Sequence, residues 1–331
     1  MKRREFITML GGGAAAWPIA ARAQQLERMR RVGVLMGFDE NDPEARGWLS
    51  GFMQGLAELG WTDGRDVRME VRWGAGNLDR MRTFAKELVD LQCDVILSQT
   101  TPATAALHRQ TQTIPIVFVM VVDPVGEGFV ATVPRPGGNL TGFMLWESSI
   151  PSKWLELLTE IAPTVRRVAL MFNPNAAPYV TRYSLPSFEA AARSSKVEPI
   201  AAPVHSDAEI DKLIASLAGE PRSGFVLLGD PFTEGRRGLI ISLAARNNVP
   251  AIYPNSGWIR DGGLLSFGVT MGDEFRRAAP YVDRVLRGAK PPDLPVQLPV
   301  KFEMLFNAKT AKALGLSTPS AILLRADGVI E

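Results

Sequence analysis

The sequence predicts an α/β protein built as two doubly wound, Rossmann-like lobes of parallel sheet joined by three hinge crossovers. Three observations carry this expectation. Residues 114–121, IPIVFVMV, form a charge-free run rich in β-branched side chains, as a strand covered on both faces requires. Strand and helix patterns alternate along the chain in two consecutive units of similar length. Extended passages punctuated by Gly and Pro interrupt them near residues 143, 265 and 293, where the chain can cross between lobes. With 331 residues, 46% of them hydrophobic and 22% charged, the apolar material suffices for two cores.

Taken in order, residues 31–38 (RVGVLMGF) read as the first strand, followed by an acidic loop. Pro43 then starts and Gly60 stops a helix whose buried face is Trp48, Phe52, Leu56 and Leu59. Val67, Met69, Val71 and Trp73 alternate with Arg68, Glu70 and Arg72, the two-residue period of an edge strand. Leu78, Met81, Phe84, Leu88 and Leu91 mark the second helix by spacings of three and four. The third strand, residues 94–97, runs into Ser98-Gln99-Thr100-Thr101-Pro102, where a hydroxyl cap and a proline open a helix and leave its first N–H groups free.

After the strand at 114–121 the pattern repeats. Helices are expected at 153–161, 178–194 (bent at Pro186), 208–217 and 237–246, and strands at 165–172, 197–201, 225–228 and 250–253. Residues 262–268 (GGLLSFG) read as a crossing, 273–287 as an amphipathic helix and 291–299 as the last, proline-rich crossing. The lobes so defined are 27–143 with 265–292, and 144–264 with 293–331.

Residues 1–23 stand apart. Lys2, Arg3 and Arg4 form a basic start, residues 7–20 are weakly apolar, and Ala21-Arg22-Ala23 is a small-x-small cleavage site. An export signal of twin-arginine type, cleaved after about Ala23, and a periplasmic location are therefore expected. That segment holds a net +3 of the whole chain's +2, leaving the rest near −1 and removing any bulk electrostatic case for nucleic acid. Cys93 reads as a core residue, and His108 and His205 are too few for a metal site. No G-x-G-x-x-G follows the first strand, and neither a P-loop nor a nucleophile–base set is evident, so no cofactor and no catalysis are expected.

The segments IPIVF, DPVGEG and RPGGNLTG within residues 114–143 carry a resemblance, together with Thr101-Pro102-Ala103, GGLLSFG, RRAAPYVDRVLRGAKPPDLPV and KFEMLFNAKTAKALGL. In the same order, these resemble the substrate-binding proteins of bacterial ABC importers with the type I periplasmic-binding fold. The subgroup most similar is the one associated with tryptophan and tyrosine uptake. The resemblance implies lobes that close on a small-molecule ligand and deliver it to the permease subunits of an ABC transporter, with a monomer expected. Other readings on the same scaffold are a ligand-sensing domain feeding a receptor, or an enzyme.

Open α/β sheets bind ligands beyond the carboxyl ends of their strands. Candidate ligand contacts are accordingly Phe38, Asp39, Ser98, Thr100, Thr101 and Asp123 in the first lobe, Asn173, Asn175, Asp230 and Asn255 in the second, and Phe267 and Gly268 on the returning hinge. The N-terminus of the helix at Thr101 suits a ligand carboxylate, Asp230 an ammonium, and Phe38 and Phe267 an aromatic body, with Trp146 a further stacking candidate. Asp123, Asn173 and Asn175 also suit plain turns, being next to prolines, and Trp48 and Trp73 fall in core periodicities. The related amino-acid binders tend to carry acidic residues where this chain has Pro254-Asn255-Ser256-Gly257, which leaves an aromatic acid or another small anion as an alternative ligand.

Overall fold

The computed structural model describes residues 29–331, so the export segment expected over residues 1–23 lies outside the described residues. The first lobe is built from β1 (Arg30–Met36), α1 (Pro43–Glu58), β2 (Val67–Trp73), α2 (Leu78–Asp90), β3 (Val95–Gln99), α3 (Thr101–Gln110), β4 (Ile116–Val121) and β5 (Leu140–Met144). Its sheet is parallel, in the order β2-β1-β3-β4-β5. Every residue of β3, β4 and β5 is buried, whereas β2 is half-covered, as its alternating sequence requires of an edge. Asp42 and Asn77 accept from the first free N–H groups of α1 and α2 and fix where those helices begin.

The second lobe comprises α4 (Ile150–Ile161), β6 (Arg167–Phe172), α5 (Leu185–Ser194), β7 (Glu198–Pro203), α6 (Asp207–Gly219), β8 (Ser223–Leu227), α7 (Pro231–Glu234), α8 (Arg237–Arg246), β9 (Ala251–Tyr253), α9 (Ser256–Arg260) and β10 (Leu265–Val269). After α10 (Met271–Leu286) the chain returns to it as β11 (Phe302–Asn307), α11 (Ala308–Ala313), α12 (Ser320–Arg325) and β12 (Gly328–Ile330). The sheet order is β12-β11-β10-β9-β8-β6-β7, with β10 and β11 antiparallel and the other pairs parallel. Within it, β7-β6-β8-β9-β10 repeats the winding of the first sheet. Each lobe therefore has a topological switch point, between β1 and β3 and between β6 and β8, where the loops part and leave a crevice.

The helix α10 lies on the first lobe against α1. A Cβ on Gly55 would come within 2.9 Å of the Ala279 methyl, so a small residue is needed for the helices to approach, and Trp61 Nε1 donates to Asp283 Oδ1 at 2.7 Å beside this contact.

Several elements differ from the sequence-based expectation. The Gly- and Pro-rich passage leading to residue 143 was expected as extended crossing chain, yet Leu140–Met144 is a buried strand and the crossing follows it. Its Gly142 has no room for a side chain, because a Cβ would run into the Phe118 backbone on β4. Residues 262–268 were expected as a crossing, yet β10 is an interior strand paired with β9 and β11, and the step to α10 is made at Thr270. The helix expected over 178–194 splits into a π-helical turn, Val180–Ser184, and α5, with Pro186 in the first turn of α5 where its missing N–H costs nothing.

The crossings run side by side. Gln297 N donates to Gly142 O at 2.8 Å, Met144 N to Gln297 O at 2.9 Å, and Thr270 N to Lys301 O at 3.0 Å. These main-chain bonds make one narrow joint between the lobes.

Candidate functional site

The two switch points face each other across a narrow cavity, with about 400 Å³ of space not filled by protein atoms when the solvent at its mouth is included. The first lobe contributes Phe38, Thr100, Thr101, Pro102, Met120 and, at the head of α10, Met271. The crossing after β5 supplies Leu145 and Trp146, and the second lobe Tyr179, Asp230, Glu234 and Asn255. The wall is thus mostly apolar, with Phe38, Trp146, Tyr179, Met120 and Met271 as its large side chains, and polar groups at two places.

One polar place is the end of β3 and the start of α3. Gln99 Oε1 accepts from Gly37 N at 2.9 Å and from Phe38 N at 3.3 Å, which holds the β1 loop and sets Phe38 on the wall. Behind it Phe38 packs on Trp48, ring centroids 5.7 Å apart, and Trp48 on Phe275 at 6.0 Å, so Trp48 is half-buried against the core and outside the cavity wall. Thr100 takes a left-handed backbone at φ 78°, and its side chain makes no cap bond to α3. Its Oγ1 is buried without a hydrogen-bond partner among the described residues, as is Trp146 Nε1. Two wall residues therefore carry polar atoms the protein leaves unmatched, at a cost of ~1–3 kcal/mol each until something pairs with them.

The other polar place is on α7 and β9. Asp230 caps α7: its Oδ1 accepts from Phe232 N at 2.8 Å and Thr233 N at 2.9 Å, and its Oδ2 from Asn173 N across the β6–β8 switch point at 2.9 Å. Burial pushes the Asp230 carboxyl up to about 7 in spite of these donors. Glu234 was not singled out by the sequence reading, yet it reaches the same wall. Its Oε1 accepts from Asn255 Nδ2 and Trp258 Nε1, both at 2.9 Å, and its Oε2 from Arg237 at 3.1 Å. Burial raises the Glu234 carboxyl as well, with Arg237 opposing. Residues 254–257 contain no acid, but the Glu234 carboxyl of α7 lies hydrogen-bonded to Asn255.

Of the twelve residues expected at the site, Phe38, Thr100, Thr101, Asp230 and Asn255 line the cavity. The others lie elsewhere for identifiable reasons. Asp39 is exposed and accepts from Asn41. Ser98 is tied to the Thr104 hydroxyl between β3 and α3. Asn173 is consumed by its own turn, accepting from Asn175 N and Ala176 N and donating to Val204 O, while Asn175 is exposed on the rim. Asp123 accepts from Gly126 N and pairs with Arg182 at the edge of the cleft. Phe267 stacks on Phe302 at 5.5 Å, away from the cavity, and Gly268 packs against the Pro254 carbonyl inside the sheet.

Phe38 and Trp146 on the apolar wall were expected from the sequence, whereas Met120, Tyr179 and Met271 were not. Met120 is the clearest case, sitting at the bulge in the β4–β5 pairing with φ 58°, a conformation sequence does not announce. Among the described residues no group of three His, Cys, Asp or Glu side chains converges on a metal position.

Comparison with known proteins agrees with this architecture. A crystal structure of a conserved domain protein from Vibrio cholerae superposes with a TM-score of 0.84 at 25% identity, covering 91% of this chain and 100% of the other. A Streptococcus pneumonia ABC domain in complex with L-Trp gives 0.83 at 24% identity, covering 92% and 100%. A tyrosine-binding protein of Clostridioides difficile is 24% identical over 277 residues, 82% of this chain and 77% of the relative. Residues 41–330 match the family described as ABC transporter substrate binding protein. With two sheets of the same winding closing on a small-molecule cavity, and a family match spanning nearly all the described residues, the chain belongs to the ABC transporter substrate-binding proteins.

Proposed function

We propose that this protein captures an aromatic amino acid in the inter-lobe cavity, outside the cytoplasm, and presents it to the permease of an ABC importer. The observation that carries the ligand class is the arrangement of the wall. An aromatic and thioether lining from Phe38, Met120, Trp146, Tyr179 and Met271 lies between a helix N-terminus at Thr101 and a pair of buried carboxyls, Asp230 and Glu234. A zwitterion with an aromatic side chain matches all three, its carboxylate at α3 and its ammonium towards α7. The printed ligands of two relatives, tyrosine and L-Trp, support the same class. A single chain lines the whole cavity, which supports action as a monomer, and the basic, weakly apolar start of the sequence supports export to the periplasm by a twin-arginine signal. The role is binding and release, with no chemical change to the ligand.

The test is calorimetric titration with L-tryptophan, L-tyrosine and L-phenylalanine, and with the amine and the acid that each lack one end of tryptophan. The amino acids are expected to bind, and both truncated analogues to bind about 100-fold or more weakly, since each leaves a buried polar group unpaired. Equal binding of the acid lacking the ammonium would remove Asp230 and Glu234 from the reading and favour an aromatic acid. Recovery of the ligand unaltered after long incubation is expected; turnover would place the protein among enzymes.

A further inference from the structure

At two places flanking the cavity, carboxylates of the first lobe clamp an arginine of the second. On one side Asp42 and Glu44, at the start of α1, meet Arg237 at the start of α8. Asp42 Oδ2 lies 3.2 Å and Glu44 Oε2 3.7 Å from its guanidinium, and Glu44 Oε1 is 2.8 Å from Arg260. On the other side Asp123 and Glu127, beyond β4, each lie 2.9 Å from Arg182 in the π-helical turn. The polarity is the same on both sides, acid from the first lobe and arginine from the second.

Each arginine is also three residues from a cavity-wall residue: Tyr179 opens the π-helical turn that holds Arg182, and Glu234 ends α7 just before Arg237 starts α8. Arg237 is bonded to Glu234 itself, and it is 87% buried among Asp42, Glu44, Glu234 and Asp261, with the Trp258 ring 5.8 Å away. A group that moves Tyr179 or Glu234 towards the first lobe therefore carries the arginines onto their acids.

We propose that Arg182 and Arg237 are positioning residues that turn ligand contact into lobe closure, each locking onto a pair of first-lobe carboxylates that it meets only when the cleft is shut. The proposal rests on the cavity being the ligand site. Its physical content is a differential interaction: the pairs exist in the closed form alone, so they slow opening and leave capture by the open form untouched. Arg237 has a second task, since without it the Glu234 carboxylate would stand buried and uncompensated.

The experiment uses variants outside the cavity wall: on the first lobe Asp42→Asn, which keeps the helix cap, and Glu44→Gln, and on the second lobe Arg182→Gln for the other side. Stopped-flow binding of L-tryptophan to the full chain is expected to give dissociation about three- to tenfold faster for each clamp removed, with association changed less than about twofold. Asp42→Asn combined with Arg237→Lys should be less than additive, because one contact is lost twice. Unchanged dissociation in all of these variants overturns the proposal.

A second reading needs no ligand. Small-angle scattering of the ligand-free protein should show the radius of gyration rising from low salt to about 1 M salt, where the Debye length falls to roughly 3 Å. The triple variant should be insensitive to salt. The same salt response in both proteins overturns the proposal, whereas failure of L-tryptophan to bind while the salt response holds would refute the ligand class and leave the clamps standing.

Discussion

Glu274, on the first turn of α10, is almost wholly inaccessible, and burial pushes its carboxyl up to about 8 from an ordinary 4.5, with Arg277 opposing. Between those two values the unfolded chain releases this proton while the folded chain retains it, so the residue's contribution to stability declines as pH rises through that window. Glu274→Gln keeps the shape and removes the charge. Its melting temperature should match wild type near pH 5 and exceed it by a few degrees near pH 8; parallel curves would contradict the assignment. Asp230, pushed up to about 7, behaves in the same sense in the free protein, but a ligand ammonium favours its ionised form. Amino-acid affinity should therefore weaken as pH falls from 8 to 6, with a proton released on binding and a heat that changes between buffers of different ionisation enthalpy. Asp230 is legible in the sequence as an acid closing a strand. Glu234 is not, because the partners that define its role, Asn255 and Trp258, arrive from 21 and 24 residues away through the sheet.

At the scale of elements, the first four strands and their helices could be read directly, since a strand buried on both faces and a capped amphipathic helix each leave a local pattern. The strands β5 and β10 could not. Their glycines read as flexible crossing chain, but Gly142 and Gly268 stand where backbones press together and a Cβ has no room. Close approach and flexibility call for the same residue, and only the neighbouring strand distinguishes them. Gly76, in the turn between β2 and α2, belongs to this class between lobes: at φ 69° it faces Pro231, whose carbonyl oxygen would lie 2.6 Å from an added Cβ. Gly76→Ala should weaken ligand binding about tenfold while costing the fold only ~1 kcal/mol. Paired calorimetric titrations and thermal melts would separate the two effects, and an unchanged affinity would mean that the lobes do not need this contact to close.

Over the whole molecule, the doubled α/β winding was evident from alternation alone, whereas the end of the chain was not. Residues after 300 add β11 and β12 to the second sheet and make β10 an interior strand, so the second lobe is completed only after the chain has visited the first. A chain ending at residue 300 should lose Met304, Phe306 and Ile322 from the core and fail to fold its second lobe; a cooperative melt at the native temperature would argue otherwise. The same global view gives Cys93 a use. It is the chain's sole cysteine, 4% exposed beneath the first sheet, its thiol pushed up to about 11 by burial and so inert at neutral pH. Two cysteines introduced on opposite rims of the cleft could be labelled with dyes while the native thiol stays in place, and the protein would then report the concentration of its own ligand as light.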